Sequence, residues 1–503
     1  MPGPERFLFL NEEGGLDETW NPPNRSRLWV YNLHYFDDLN AREAQQRNEW
    51  HGSLIRRWIP GNPPGKGTGW EPYPTSLRIV NWTKWALAGN VLPREALESL
   101  AVQTRFLNRR LEYHLLGNHL FANAKALIFA GHFFEGQEAD IWAKRGVGIL
   151  ERELHEQILT DGGHFELSPM YHSIILEDLL DLINISECYS TTSFSHLHIT
   201  DFAQRMLAWL RAMCHPDDGI ALFNDAAFGT APQPDELFTY AEKLDICDPS
   251  LASTVQSSLK KSGVDTISSG NATITHLIDS GYIRVDNGPM TAILDVGRIG
   301  PDHLPGHAHA DTLSFELSLF GRRVIVDSGT SGYDEGPERL EQRSTGAHNT
   351  VVVNGENSSQ VWGSFRVGRR ARTFGLAIKK DSEDSLVIRC AHDGYVRLSG
   401  KPIHWREWRF NANSLTIIDS IQGNCISALG RFYFHPDRKV ITEDAGLQGE
   451  IRFSHDTIMT WRILKGHGKV SDAHFYPEFG LSRPNLCLEL SLSDMNSQII
   501  FEW

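Results

Sequence analysis

Cysteine is scarce. The six present (Cys188, Cys214, Cys247, Cys390, Cys425 and Cys487) are too widely spaced for a disulfide framework or a CxxC metal site, and read as mostly buried free thiols. Long apolar runs are absent too: nothing approaches the roughly 18 residues of a membrane-crossing helix, which excludes that mode of insertion. Positive charge is in deficit. With 48 Lys and Arg against 63 Asp and Glu, the net charge of −15 argues against nonspecific binding to nucleic acid or to an anionic membrane. There is no low-complexity tract, strict repeat, nucleotide-binding loop, GxSxG elbow or HExxH helix. Residues 1–15 carry one short apolar run, Phe7-Leu8-Phe9-Leu10, and then turn acidic, unlike a secretory leader. The expectation is a cytoplasmic protein, or a periplasmic or secreted one from which a leader has been removed.

Hydrophobic residues make up 41% of the 503, enough to bury a large core. At roughly 150 residues per domain the chain should hold two or three domains. From about residue 25 to 265 the apolar spacing is helical, as in Glu95 to Leu111, Leu120 to Phe133, Glu138 to Leu159 and Ile174 to Glu187. Short breaks such as Gly117-Asn118 and Asp161-Gly162-Gly163 suit antiparallel helical hairpins, which stack into a solenoid or close into a toroid. After Ser268-Ser269-Gly270 the pattern changes to alternating β-branched and aromatic residues, at 281–286, 312–319, 323–327, 350–353 and 415–419. Turn signals between these runs predict antiparallel hairpins in stacked sheets. The reading is an α+β multidomain chain: a helical domain over residues 1–265 and an antiparallel β domain over 266–503.

Three clusters could carry chemistry. Gly117-Asn118-His119 with Asn123 puts two amides and an imidazole within about a turn and a half, with Asn118 taken alone reading as a helix N-cap. The segment from Asp161 to His172 crowds His164, Glu166, Tyr171 and His172 before an apolar helix, where Glu166 would be a first-turn charge and His172 a capping group on the bland reading. His307-Ala-His309-Ala-Asp311 stands at the entry to a strand, where a period of two places all three polar residues on one face. With Asp327 and His348 it could supply a divalent metal with nitrogen and oxygen ligands, or form a buried hydrogen-bonded histidine network. Arg366, Arg369, Arg370 and Arg372 could line a polyanion site inside an acidic protein, or be solvated surface charges.

Taken in order, Gly117-Asn118-His119 with Asn123, Glu166 to Tyr171-His172, His307 to Asp311, Asp327-Ser-Gly329 and His348-Asn349-Thr350 resemble the heparinase II/III superfamily of polysaccharide lyases and its alginate-lyase relatives, over about residues 30–460. The resemblance implies an incomplete (α/α) toroid followed by an antiparallel β-sandwich. It also implies β-elimination on a uronate-containing polysaccharide such as heparan sulfate, chondroitin, hyaluronan or alginate, giving a C4–C5 unsaturated uronate. Removing the C5 proton leaves charge on the adjacent carboxylate, which donors must neutralise. By resemblance Asn118 does so, with His119 or Arg343 as helpers. Tyr171 matches the catalytic tyrosine, its pKa of about 10 expected to be lowered by nearby cations so that it serves as base or acid. His307 matches the histidine that abstracts the proton from the other uronate epimer, and Tyr333 is the candidate for a second tyrosine. Asn123, Glu166 and His172 are candidate substrate contacts. A structural divalent metal is implied at His309, Asp327 and His348, with zinc the best match and manganese the alternative.

Two other classes remain. A glycoside hydrolase would need two carboxylates flanking the scissile bond, drawn from Asp161, Glu166 and Asp225, and would leave Asn118 and Tyr171 without roles. A non-catalytic acidic-sugar-binding protein would keep the fold without the chemistry.

Overall fold

The computed structural model describes the chain apart from residues 17–18, 192, 247–262, 270–271, 383–384 and 455–456. Cys247 and Gly270 therefore lie outside the described residues. Of the other cysteines, Cys214, Cys390 and Cys487 are buried thiols as expected, whereas Cys188 is exposed and Cys425 half-buried. No described helix is long and apolar enough to cross a membrane.

The chain divides into two compact units, one of residues 1–158 and 175–203, the other of residues 159–174 and 204–503. The first is helical apart from the small hairpin Arg6–Phe9 and Glu12–Gly15. Its helices include Pro72–Leu87, Arg94–Asn108, Gly117–Phe133 and Gln137–Gln157, the last three of which match runs that sequence periodicity marks. The helix Gly117–Phe133 is apolar nearly all round and correspondingly buried. One of its few polar residues, Lys125, is neutralised by Asp178 at 2.7 Å and Asp181 at 2.6 Å, and Lys84 adds a second cation on Asp181. Such burial is tolerable only because every charge is paired.

In the second unit the strands form two large antiparallel sheets. One has eight strands, in the spatial order Thr373–Ser382, Ser385–His392, Ile403–Asn411, Ser414–Gln422, Asn496–Glu502, Ile458–Lys465, Gln448–Arg452 and Lys439–Glu443. The other has ten: nine run in order from His467–Phe475 through Arg483–Ser491, Ala428–Phe434, Arg322–Ile325, Phe315–Leu319, Met290–Asp295, Tyr282–Asn287 and Ala272–Leu277 to Val264–Ser269, and Val351–Val353 pairs separately with Ala428–Phe434. Inward-facing residues of both sheets, among them Leu294, Phe315, Phe432, Trp408, Ile417 and Phe501, make one hydrophobic core. Each such side chain contributes roughly 1.5–3 kcal/mol through burial.

Met290–Asp295 is buried at every position because its two faces serve different cores. Ala292 and Leu294 join the intersheet cluster, while Ile293 packs with Trp209, Met213, Phe223 and Tyr282. That second cluster anchors the loops carrying the polar residues considered next. The Tyr282 hydroxyl donates to the Leu167 carbonyl at 2.7 Å, and Asn224 Nδ2 donates to the same oxygen at 3.0 Å.

Candidate active site

In the second unit, Asp225 is the hub of a buried polar cluster. Its carboxylate accepts a bidentate pair from Arg339, His307 Nδ1 at 2.9 Å and His309 Nε2 at 2.8 Å. Burial alone would raise its pKa, but the Arg339 guanidinium and the two imidazoles hold it well below the usual carboxylate value. With its Nδ1 proton on that carboxylate, a neutral His307 ring presents Nε2 as its acceptor nitrogen. Glu166 Oε2 stands 3.6 Å from that Nε2.

The His307 ring lies on the Tyr171 ring, with centroids 4.0 Å apart, and the Tyr171 and Tyr333 hydroxyls are 2.9 Å apart. Tyr171 opens the helix Pro169–Cys188, and Ser168 fastens its start by accepting the Tyr171 N–H and donating to the Asp225 carbonyl at 2.6 Å. Tyr171 is not acidified as the sequence reading expected. Burial, then Tyr333, Asp225 and Glu166, raise its pKa well above 10. Arg339, the cation beside the pair, is already neutralised by Asp225. Burial raises the pKa of Tyr333 as well, so both hydroxyls stay protonated at neutral pH.

The His307 to Asp311 segment is a loop and not the start of a strand, since the strand begins at Phe315. Its backbone is taken up by other partners: the His309 N–H donates to Asn224 Oδ1 at 3.0 Å and the Ala310 N–H to the Arg343 carbonyl at 3.0 Å. Leu313 then adopts φ +65°, which breaks any strand. His307 and His309 nevertheless share a target, because both reach Asp225.

Other sequence candidates lie deeper. His172 is stacked on Trp209 with both ring nitrogens engaged, by the Met206 carbonyl and the His164 N–H, and burial pushes its pKa down to about 3. It sits inside the helix Pro169–Cys188, and Glu166 precedes that helix, so neither is the cap or first-turn charge of the bland reading. The Arg343 guanidinium is committed to the Ala308 and Gly363 carbonyls. Asp161 is bound by the Ser280 N–H and hydroxyl and by the Gly163 N–H. Asp161 and Asp225, two of the three carboxylates a hydrolase reading would draw on, are thus both engaged by other groups.

In the first unit, Asn118 is the second residue of its helix and not the cap, which is Leu116. Leu116 at φ +58° and Gly117 at φ +54° make a strained entry, the kind of backbone found at functional sites. Asn118 Nδ2 is 3.5 Å from the Tyr73 hydroxyl, and the His119 ring lies 4.4 Å from the Tyr73 ring. Buried Glu112 accepts from His119 Nδ1 at 3.1 Å and from Asn123 Nδ2 at 2.9 Å, while Asn123 Oδ1 takes the Glu112 N–H at 2.9 Å. Asn123 is therefore an interior clamp on Glu112.

Two family models match this chain, Heparinase II/III N-terminus over residues 43–243 and Heparinase II/III-like, C-terminal over residues 270–501. The chain belongs to the heparinase II/III family. Among relatives, the heparin-sulfate lyase of Bacteroides thetaiotaomicron is 24% identical over 429 residues, covering 76% of this chain and 60% of the relative. That of Bacteroides stercoris is 29% identical over 254 residues, covering 49% and 37%. The chain thus spans less than two thirds of these relatives' lengths. A solved heparinase III superposes with a TM-score of 0.75 at 20% identity, covering 98% of this chain and 79% of that one. A chondroitinase AC lyase gives 0.55 at 10% identity, covering 97% and 78%.

For a metal in this family member, the donor chemistry fits at His309 and His348 and is incomplete elsewhere. His309 is held neutral by burial, its pKa lowered to about 3; its Nε2 faces Asp225, and its buried Nδ1 has no partner. His348 Nδ1 binds Asp327 at 2.7 Å, leaving its buried Nε2 without a partner, and the two rings are 5.3 Å apart. Asp311 Oδ2 is a third orphaned buried atom. As they stand, the described side chains do not converge three at a time in ligating geometry. Asp327 is followed by Gly329, whose N–H it accepts at 3.1 Å; a Cβ there would meet the Tyr476 carbonyl oxygen at 2.1 Å, and φ is +78°. The glycine of Asp327-Ser-Gly329 is thereby required.

Sequence reasoning missed Arg339 and Glu112, and met Asp225 only as a hydrolase candidate. No local signal marks them, since each acts through residues distant in the chain or ordinary in composition.

Proposed function

We propose that this chain is a polysaccharide lyase that cleaves a uronate-containing polysaccharide, a glycosaminoglycan first and alginate as the alternative, by β-elimination. The observation that carries the reading is the pair of protonated tyrosine hydroxyls, 2.9 Å apart, beside an imidazole whose Nδ1 is fixed on a carboxylate. Such a group can take one proton and give another without a carboxylate pair. In the elimination, a base removes the C5 proton, the C4–O4 bond breaks as the C4–C5 double bond forms, and an acid protonates the departing O4. Tyr171, protonated in the free protein, serves as the acid, and His307 Nε2 is the candidate base. Asn118 is assigned the amide that neutralises the uronate carboxylate, with His119 beside it in sequence as helper. Tyr333 is the second tyrosine, holding the Tyr171 hydroxyl.

The same reading extends the architecture to an incomplete (α/α) toroid and a β-sandwich, supported by the shared core of the two sheets. His309, His348 and Asp327 would hold the divalent metal, zinc or manganese, with orphaned Asp311 as a nearby carboxylate. A bound cation would supply fixed positive charge that orders the loop carrying His307. His348→Ala should then lose metal content and thermal stability together; a variant keeping both would leave only a hydrogen-bond network.

The deciding experiment follows ultraviolet absorbance during incubation with glycosaminoglycans, alginate and their oligosaccharides. A rise from the conjugated C4–C5 bond establishes the lyase. New reducing ends without that absorbance overturn it in favour of hydrolysis, and binding without cleavage points to a sugar-binding protein.

A further inference from the structure

Beside the tyrosine and histidine cluster, in the same unit, stands a small β-ribbon made of Val361–Trp362 and Arg366–Val367. It is closed at its base by Gln360, which exchanges backbone hydrogen bonds with Gly368 and Arg369. Its tip is bolted to the cluster. The Ser364 carbonyl accepts Arg339 Nη2 at 2.9 Å and Nε at 3.1 Å, and the Gly363 carbonyl accepts Arg343 Nη1 at 3.0 Å. Phe365 sets its ring 5.4 Å from Tyr333 and 5.8 Å from His307. Arg339 therefore fixes both the carboxylate that orients His307 and the tip of this ribbon.

What the ribbon displays is unusual for the surface of an acidic chain. Trp362 is 53% exposed. The Arg366 guanidinium lies 5.1 Å from the Trp362 ring centroid, with no carboxylate partner among the described residues. Arg369, also exposed, has no side-chain ion pair there either, whereas Arg370 and Arg372 are paired with Asp302. At the tip, Glu335 Oε1 would stand 3.9 Å from a Cβ on Gly363. An exposed indole costs solvation and two unpaired guanidiniums attract anions, so the surface matches a ligand with a flat apolar face and a carboxylate or sulfate.

We propose that the Trp362 and Arg366 ribbon is an accessory subsite that binds an anionic sugar residue next to the one that reacts. Trp362 stacks on the sugar ring, and Arg366 with Arg369 pairs its carboxylate or sulfate. This rests on the lyase reading for its substrate class but not for its test, which is a binding measurement.

The Tyr171→Phe protein, and the same protein carrying Trp362→Ala or Arg366→Ala, would be titrated calorimetrically with a heparan sulfate hexasaccharide and its desulfated counterpart. Each ribbon substitution should weaken binding roughly tenfold, and Arg366→Ala should also flatten the salt dependence. Because these side chains are exposed, melting temperatures should stay unchanged. If only the sulfated sugar loses affinity, Arg366 reads sulfate; if both do, it reads the carboxylate. In the Tyr171-containing protein the same substitutions should raise KM and leave kcat within about twofold, as loss of uniform binding requires. Affinity and KM unmoved by both substitutions would overturn the subsite. Ribbon-dependent binding without any cleavage by the Tyr171-containing protein would uphold the subsite and overturn the lyase reading instead.

Discussion

The polar clusters around Asn118 and around His307 are built by opposite routes. Near Asn118 the groups come mostly from one stretch, residues 112–123, with Tyr73 and Ser76 added from a neighbouring helix. Around His307 the residues arrive from separate segments and meet on one carboxylate, Arg339 reaching Asp225 across 114 residues of sequence. The first cluster is neutral amides and one imidazole–carboxylate hydrogen bond between partly exposed His119 and buried Glu112. The second is a buried charge network in which every member depends on the others. A locally built cluster can lose a member and keep its shape, whereas a long-range one cannot.

The largest expected effects separate the chemical roles of the two. Tyr171→Phe should lower kcat by about 10²–10⁴ while leaving oligosaccharide affinity nearly unchanged. Asn118→Ala should cost about 10²–10³, through loss of one preorganised donor. Steady-state kinetics beside direct binding tests both, and near-normal turnover in either variant would remove that residue from the mechanism.

Stability should sharpen the contrast. Asp225→Ala strands Arg339 in the interior, and urea unfolding should register a loss of about 3–5 kcal/mol. Glu112→Gln keeps the shape of its site and leaves weaker hydrogen bonds to His119 and Asn123, for a loss of about 1–3 kcal/mol. Equal losses would contradict the distinction drawn between the clusters.

The smallest effect is in pH. Because the folded-state pKa of Asp225 is depressed, its contribution is complete above the unfolded carboxylate value of about 4 and is lost as pH falls below it. Acid unfolding should therefore begin earlier in Arg339→Met, which removes the cation chiefly responsible. Coincident acid transitions in the two proteins would show that Arg339 does not hold Asp225 ionised.

Much of this was legible beforehand. The helices at 94–108, 117–133 and 137–157 and strands such as Ser414–Gln422 follow from apolar periodicity, because one buried face imposes its repeat on the sequence. The motifs around Asn118, Tyr171 and His307 are short enough to recognise as they stand. Tyr333 was noticed only by type, and nothing local could have put its hydroxyl on that of Tyr171. The alternation of His307, His309 and Asp311 predicted a strand, but Asn224 and Arg343 claimed the backbone and made it a loop.

What the sequence by itself determined is the order of helical and β regions, the acidic balance and the family motifs, since these depend on neighbours in the chain. What the tertiary structure alone decided is that Asp225 and Arg339 hold the site, that Tyr171 is protonated and not acidified, and that Arg343 is spent on carbonyls. Desolvation and pairing depend on every group packed around a side chain, and most of those groups come from elsewhere in the chain.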